Sequence, residues 1–285
     1  MKAFLRGVAA LLAAALVPAS ARAVETIPFT DGQGGAIVVQ ASIDGRAAIP
    51  MAVDLGAGLD LLSSRAGAQY VAVNGKYATL RLTGQRADIP FGSVLSLTTN
   101  GVRLNAPLVG IWNGLDGGSV DGLIAASAFA GIATTFDYRG HQLVVEDATT
   151  FPDRKRTASR VPIVVRDDLG IALDLFAHFD LGGGKTALCQ IVTGSDGITF
   201  DTALARELGV DLSNASSQRA HSPWGDGVVA TIPSLALVGA SQTAMQRPQV
   251  VFADLIHDCY VGNAFWKARG FTLDIPGRAL WIPGS

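Results

Sequence analysis

The chain has 285 residues, with 22 Lys and Arg against 24 Asp and Glu, four His and two Cys, and a formal charge of −2. No extended basic run marks a nucleic-acid face, so nucleic acid is not expected as a partner. With 49% hydrophobic and only 16% charged residues, disorder is excluded as a description of the whole, and the length holds one large domain or two small ones.

Lys2 and Arg6 precede a short apolar run, Val8 to Val17, and Ala21-Arg22-Ala23 follows. A basic start, a short apolar core and a small-residue cleavage site make the pattern of a secretory signal peptide over residues 1–23, with cleavage expected after Ala23. The apolar core is too short for a spanning helix. No later segment is long and apolar enough to span a bilayer, so a periplasmic or secreted protein is expected. In such an oxidising compartment Cys189 and Cys259 are either a disulfide or two buried thiols, and their spacing matches no zinc or redox motif.

Past residue 23 the chain reads as two similar halves. Residues 36–43 are β-branched and strand-like. Ile49-Pro-Met-Ala-Val-Asp-Leu-Gly-Ala-Gly58 is an apolar strand running into a Gly turn, followed by helical character over residues 61–67. Further on, residues 94–97 predict another strand, and Asp121-Gly-Leu-Ile-Ala-Ala-Ser-Ala-Phe129 leads into residues 134–143. Residues 147–160 are polar and carry Asp153-Arg-Lys-Arg156, the pattern of a solvated linker.

The second half repeats this layout. Ala187-Leu-Cys-Gln-Ile-Val-Thr-Gly-Ser-Asp196 is again a strand and a Gly turn, and residues 202–208 again predict a helix. Strands are expected over residues 228–232 and 235–238. Asp258-Cys-Tyr-Val-Gly-Asn-Ala-Phe-Trp266 then leads into residues 271–280. Asp121, Thr135, Asp137, Gly140 and Leu143 recur without a gap as Asp258, Thr272, Asp274, Gly277 and Leu280. The expected organisation is a first lobe over 24–150, a linker over 151–160 and a second lobe over 161–285. Each lobe is all-β, a small barrel with short helices, and a cleft lies between them.

An apolar strand ending in Asp-x-Gly-Ala, then a Gly-containing loop, then Asp-Gly-apolar-apolar-small, resembles the lobe of a retropepsin-like aspartic protease. Two fused copies resemble the pepsin plan over roughly residues 36–281. The resemblance implies that an aspartate from each turn faces one shared water, one taking its proton and the other donating to the scissile carbonyl. It also implies that the turn threonines interlock beneath the carboxylates. The first turn supplies Asp54, Leu55, Gly56 and Ala57, and the second supplies Val192, Thr193, Gly194 and Ser195. Each has lost what the other keeps, Thr in the first and Asp in the second. Asp196 lies past the glycine and does not restore the pair. Flap hairpins are expected near Asn74-Gly-Lys-Tyr77 and His221-Ser-Pro-Trp-Gly-Asp226, with Tyr77 and Trp224 as candidate cleft-covering aromatics.

Gly182-Gly-Gly-Lys-Thr186 lacks the upstream Gly of a phosphate loop, because Phe179 stands there, and reads as a strand turn. The four His show no metal-ligand spacing, and neither metal nor cofactor is expected. The leading expectation is an exported protein of the aspartic-protease family that binds extended polypeptide in its cleft, with Val192 standing against hydrolysis. An active aspartic endopeptidase using Asp54 and an envelope structural protein keeping only the fold are the alternatives. Oligomeric state is left open.

Overall fold

The computed structural model describes residues 25–213, 219–222 and 225–284, with the backbone alone at 219–222 and 225–226. The signal-peptide segment and Trp224 therefore lie outside the described residues. No helix among those described is long and apolar enough to cross a membrane.

Short β-branched segments separated by Gly turns pair into two large sheets, and the molecule is all-β and two-lobed. Strand Ile37–Ile43 shows how a lobe is built. Ile37, Val39, Ala41 and Ile43 are fully buried, while Val38, Gln40 and Ser42 between them are not. That alternation fixes the register, since a one-residue slip would turn every apolar side chain outward. The strand pairs antiparallel with Ile49–Val53, which pairs parallel with Gly122–Ile124. The second lobe repeats the arrangement: Ala172–Gly182 pairs antiparallel with Lys185–Ile191, and that strand pairs parallel with Cys259–Val261.

The halves do not separate cleanly in space. Glu25–Pro28, Gln142–Val145 and Thr134–Asp137 of the first half continue into Phe271–Asp274, Ala279–Pro283 and Ala158–Asp168 of the second, in that order. At the centre of this seam Thr134–Asp137 and Phe271–Asp274 run antiparallel with Thr135 opposite Thr272. These are the residues that recur in the repeat, so the local two-fold axis passes between them. Their hydroxyl oxygens lie 2.6 Å apart, and the Phe136 and Phe271 rings stack at 4.6 Å. The recurring aspartates explain themselves locally, because Asp137 Oδ1 accepts the Gly140 N–H and Asp274 Oδ1 the Gly277 N–H, both at 2.9 Å.

Three local expectations are adjusted. The first-lobe helix runs over Ser64–Tyr70, later than residues 61–67, because Ser63 caps it by accepting the Ala66 N–H and Asp60–Leu62 is a strand. Val94 follows the strand Arg86–Ser93, and the next strand is Leu97–Thr99. The stretch read as a linker is a helix, Thr150–Thr157, followed directly by strand Ala158–Asp168. Its basic run is solvent-exposed as expected, and each side chain also has a partner. Arg154 bonds the buried Glu146 carboxylate at 2.9 Å, Arg156 pairs with Asp153 at 2.7 Å, and the Lys155 ammonium lies 3.9 Å from the Phe151 ring centre. All three bases occupy the last turn, where the helix dipole favours positive charge.

Candidate functional site

The two turns meet at the two-fold axis as the repeat requires. The Asp54 N–H donates to Ile124 O at 2.9 Å, and the Val192 N–H donates to Val261 O at 3.0 Å. Asp54 and Val192 are thus structural equivalents. Val192 is 6% exposed and lies over Gly56, where an added Cβ would fall 2.7 Å from its Cγ2. Glycine at 56 is required by this approach.

Asp54 is partly exposed at the floor of the interlobe pocket. Its Oδ1 accepts three backbone N–H groups, from Gly56 at 2.9 Å, Gly194 at 3.1 Å and Thr193 at 3.3 Å. Burial pushes its carboxyl above the ordinary aspartate range, and those three N–H groups pull it back. All three converge on one oxygen, so Oδ2 is left for the pocket.

The threonine interlock survives on one side. Thr193, fully buried, donates from Oγ1 to Val53 O at 2.8 Å and accepts the Leu55 N–H at 3.0 Å. Leu55 has no hydroxyl to return the pair and is buried in the core instead. Asn263 ties the same region: its Nδ2 donates to Thr193 O at 2.7 Å and Gly35 O at 2.9 Å, and the Tyr138 hydroxyl donates to its Oδ1 at 2.6 Å. Thr193→Val, which keeps the shape and removes both bonds, is expected to cost about 2–3 kcal/mol by stranding two buried backbone groups. Urea unfolding measures this, and an unchanged midpoint would refute it.

Of the remaining motif residues, Ala57 lines the pocket and its N–H closes the first turn on Asp54 O at 3.0 Å. Ser195 serves through its backbone, accepting the Asn263 N–H at 2.7 Å. Cys189 and Cys259 face each other across adjacent parallel strands and are joined as a disulfide. Tyr77 lies on a hairpin of Gly75–Leu80 and Arg86–Ser93 and lines the pocket. Its hydroxyl donates to Asp168 Oδ2 at 2.6 Å, and burial and that carboxylate push it up to about 12. At the hairpin tip, Leu82 O accepts the Ile256 N–H at 2.9 Å, so the flap touches the second lobe.

The pocket occupies about 1060 Å³, counting its open side. Its walls are apolar, with Leu59, Leu61, Ile89 and Trp112 from the first lobe and Ile256 and Tyr260 from the second. Loop residues 113–119 do not line it. Two polar residues of the floor escaped the sequence reading. Gln190 Nε2 bridges Gly56 O at 3.3 Å and Asp174 Oδ1 at 3.2 Å. Burial raises the Asp174 carboxyl, with Arg166 opposing.

Asp60 was also missed. It is 1% exposed, accepts the Ala125 N–H at 2.7 Å through Oδ1, and has no partner for Oδ2. Burial pushes it up to about 7. The folded chain then holds a proton that the unfolded chain has released, so stability falls as pH rises from about 4 to about 7, by on the order of 1 kcal/mol per pH unit. Asp60→Asn is expected to keep the Ala125 bond and flatten that slope. A slope unchanged in thermal melts across this range would refute the assignment.

Two lobes around a pseudo-two-fold axis, with a glycine turn from each at its centre, define a pepsin-like fold, here with an aspartate in one turn only. The crystal structure of Basic 7S globulin from soybean, which has a pepsin-like fold, is similar to this chain at a TM-score of 0.50 and 11% identity, over 92% of this chain and 95% of that one. No family model matches the sequence. No curated protein matches it either.

Proposed function

We propose that the chain is an exported binding protein that uses the pepsin-like cleft to hold a ligand without hydrolysing it. The observation that carries this reading is Val192 at the position equivalent to Asp54. Peptide hydrolysis at such an axis needs one group to take a proton from water and another to give one to the carbonyl. Asp54 serves one of these roles at a time, and valine serves neither. The signal-peptide pattern and the buried disulfide support export. The ligand that the family resemblance implies is an extended polypeptide added as a strand.

The test is hydrolysis of an unfolded protein mixture across about pH 3 to 8, the range around ordinary carboxylates. Wild type and Asp54→Asn are expected to be equally silent. Cleavage by wild type that Asp54→Asn abolishes would overturn the proposal and make the chain an active aspartic endopeptidase.

A further inference from the structure

The cleft is short. Each turn is hydrogen-bonded to the hairpin tip of the opposite lobe, the Asp196 N–H donating to Gly34 O at 2.7 Å and the Leu173 N–H donating to Gly58 O at 2.8 Å. The repeat relates these contacts, since Gly58 corresponds to Asp196 and Gly35 to Leu173 through the matched strands. Gly35 is so close that an added Cβ would collide with the Asp196 carboxylate. With Gly58 bonded to Leu173 beside the pocket and the flap bonded to Asp168 and Ile256, a polypeptide running past that side would have to break interlobe bonds. A compact ligand, or one end of a chain, would not.

Around Asp54 and Asp174 the open polar atoms are carboxylate oxygens, while Thr79, His257 and Tyr260 bring hydroxyl and imidazole groups to the rest of the lining. Among the described residues nothing bonds Asp54 Oδ2 or Asp174 Oδ2. Gln190 is 2% exposed and lines the pocket. Its Nε2 is spent on two acceptors, which fixes the orientation of the amide, and its Oε1 is buried with no partner. The Tyr77 hydroxyl is spent on Asp168, and burial and Arg166 push His257 below the ordinary histidine range. Arg81 also lines the pocket, its guanidinium over the Trp112 ring at 5.7 Å.

We infer that, as the ligand of the cleft proposed above, the pocket takes a compact molecule with an apolar body and a primary ammonium directed at Asp54 and Asp174. Such a group brings three donors and one positive charge to two carboxylates among apolar walls, of which only Asp174 already has a cation, Arg166, opposite it across the strands. The ammonium of a free alkylamine and that of a short apolar peptide's amino end share this chemistry.

Isothermal titration of the purified chain with n-octylammonium, 1-octanol and octanoate tests it. Octylammonium is expected to bind at least about tenfold tighter than the other two, and to lose about tenfold in each of Asp54→Asn and Asp174→Asn, as for a charged hydrogen bond. A leucine tripeptide with a free amino end should likewise outbind its acetylated form. Equal affinity for octanol and octylammonium, binding indifferent to both variants, or tighter binding of an end-blocked decapeptide would each overturn the inference. Failure of the underlying reading shows separately, as wild-type hydrolysis of unfolded protein.

Discussion

Val192→Asp is expected to give the silent scaffold a peptidase activity confined to acid pH. The substitution puts a carboxyl on the two-fold equivalent of Asp54, across from Gly56, which has no side chain to obstruct it. Two carboxylates so close cannot both ionise, so one proton is shared and the acid and base roles become available together. A positioned acid–base group contributes about 10²–10⁴-fold. Cleavage near the free amino end of short peptides, which the bridged cleft admits, should therefore rise by that order below about pH 6, where such a pair retains its proton. The new carboxyl replaces a side chain only 6% exposed, so a stability loss of about 2–4 kcal/mol is expected, smaller in acid where the pair is protonated. Val192→Asn is the control, with similar shape and no titration. A Val192→Asp chain that folds yet stays as silent as Val192→Asn would refute the equivalence of positions 54 and 192.

Replacing Cys189 and Cys259 together by alanine is expected to cost about 4 kcal/mol. The bond closes a separation of 70 residues, and the chain-entropy account assigns a closure of that length about 4 kcal/mol. Both cysteines are fully buried, in the paired strands that lead into Val192 and Gly262. The equivalent pair in the first lobe is Met51 and Gly122, where the methionine Cε lies 2.7 Å from where a Cβ on Gly122 would fall, so side-chain packing takes the disulfide's place there. Guanidinium unfolding with and without reductant measures the effect. The wild type should approach the double variant when reduced, and a midpoint insensitive to reductant would contradict the assignment.

The repeat was legible because Asp137, Gly140 and Leu143 recur in register as Asp274, Gly277 and Leu280, and turns and strand ends demand those residue types wherever they occur. The same register put Val192 opposite Asp54. What the sequence concealed are contacts between segments far apart in the chain. Asp174 and Gln190 are single polar residues in strands whose alternation predicts polar positions anyway, and nothing local marks them as facing a pocket. Asp60 was hidden in the same way, in a strand where Ile198 holds the equivalent place. The helix Thr150–Thr157 has almost no apolar face, so its pattern reads as linker. Aromatic and acidic neighbours elsewhere in the chain, Trp281 and Glu146, hold it in place. The single-sided threonine lock was half legible, since the missing Thr shows at Leu55 but the bonds of Thr193 do not.

The seam through Thr135 and Thr272 bears on how the chain reaches its fold. Strand Thr134–Asp137 can pair on one side with Gln142–Val145 as soon as both are made, but its other side waits for Phe271–Asp274 near the end of the chain. Until then the first half carries an unpaired strand edge with Phe136 beside it, a template for any extended segment that arrives first. Such late, long-range pairing slows folding. Because the waiting edge is half of a two-fold contact, the neighbour best matched to it is the same strand of another unfinished copy. Completion of the C-terminal strands is therefore what commits the seam to pairing within one chain rather than between two copies.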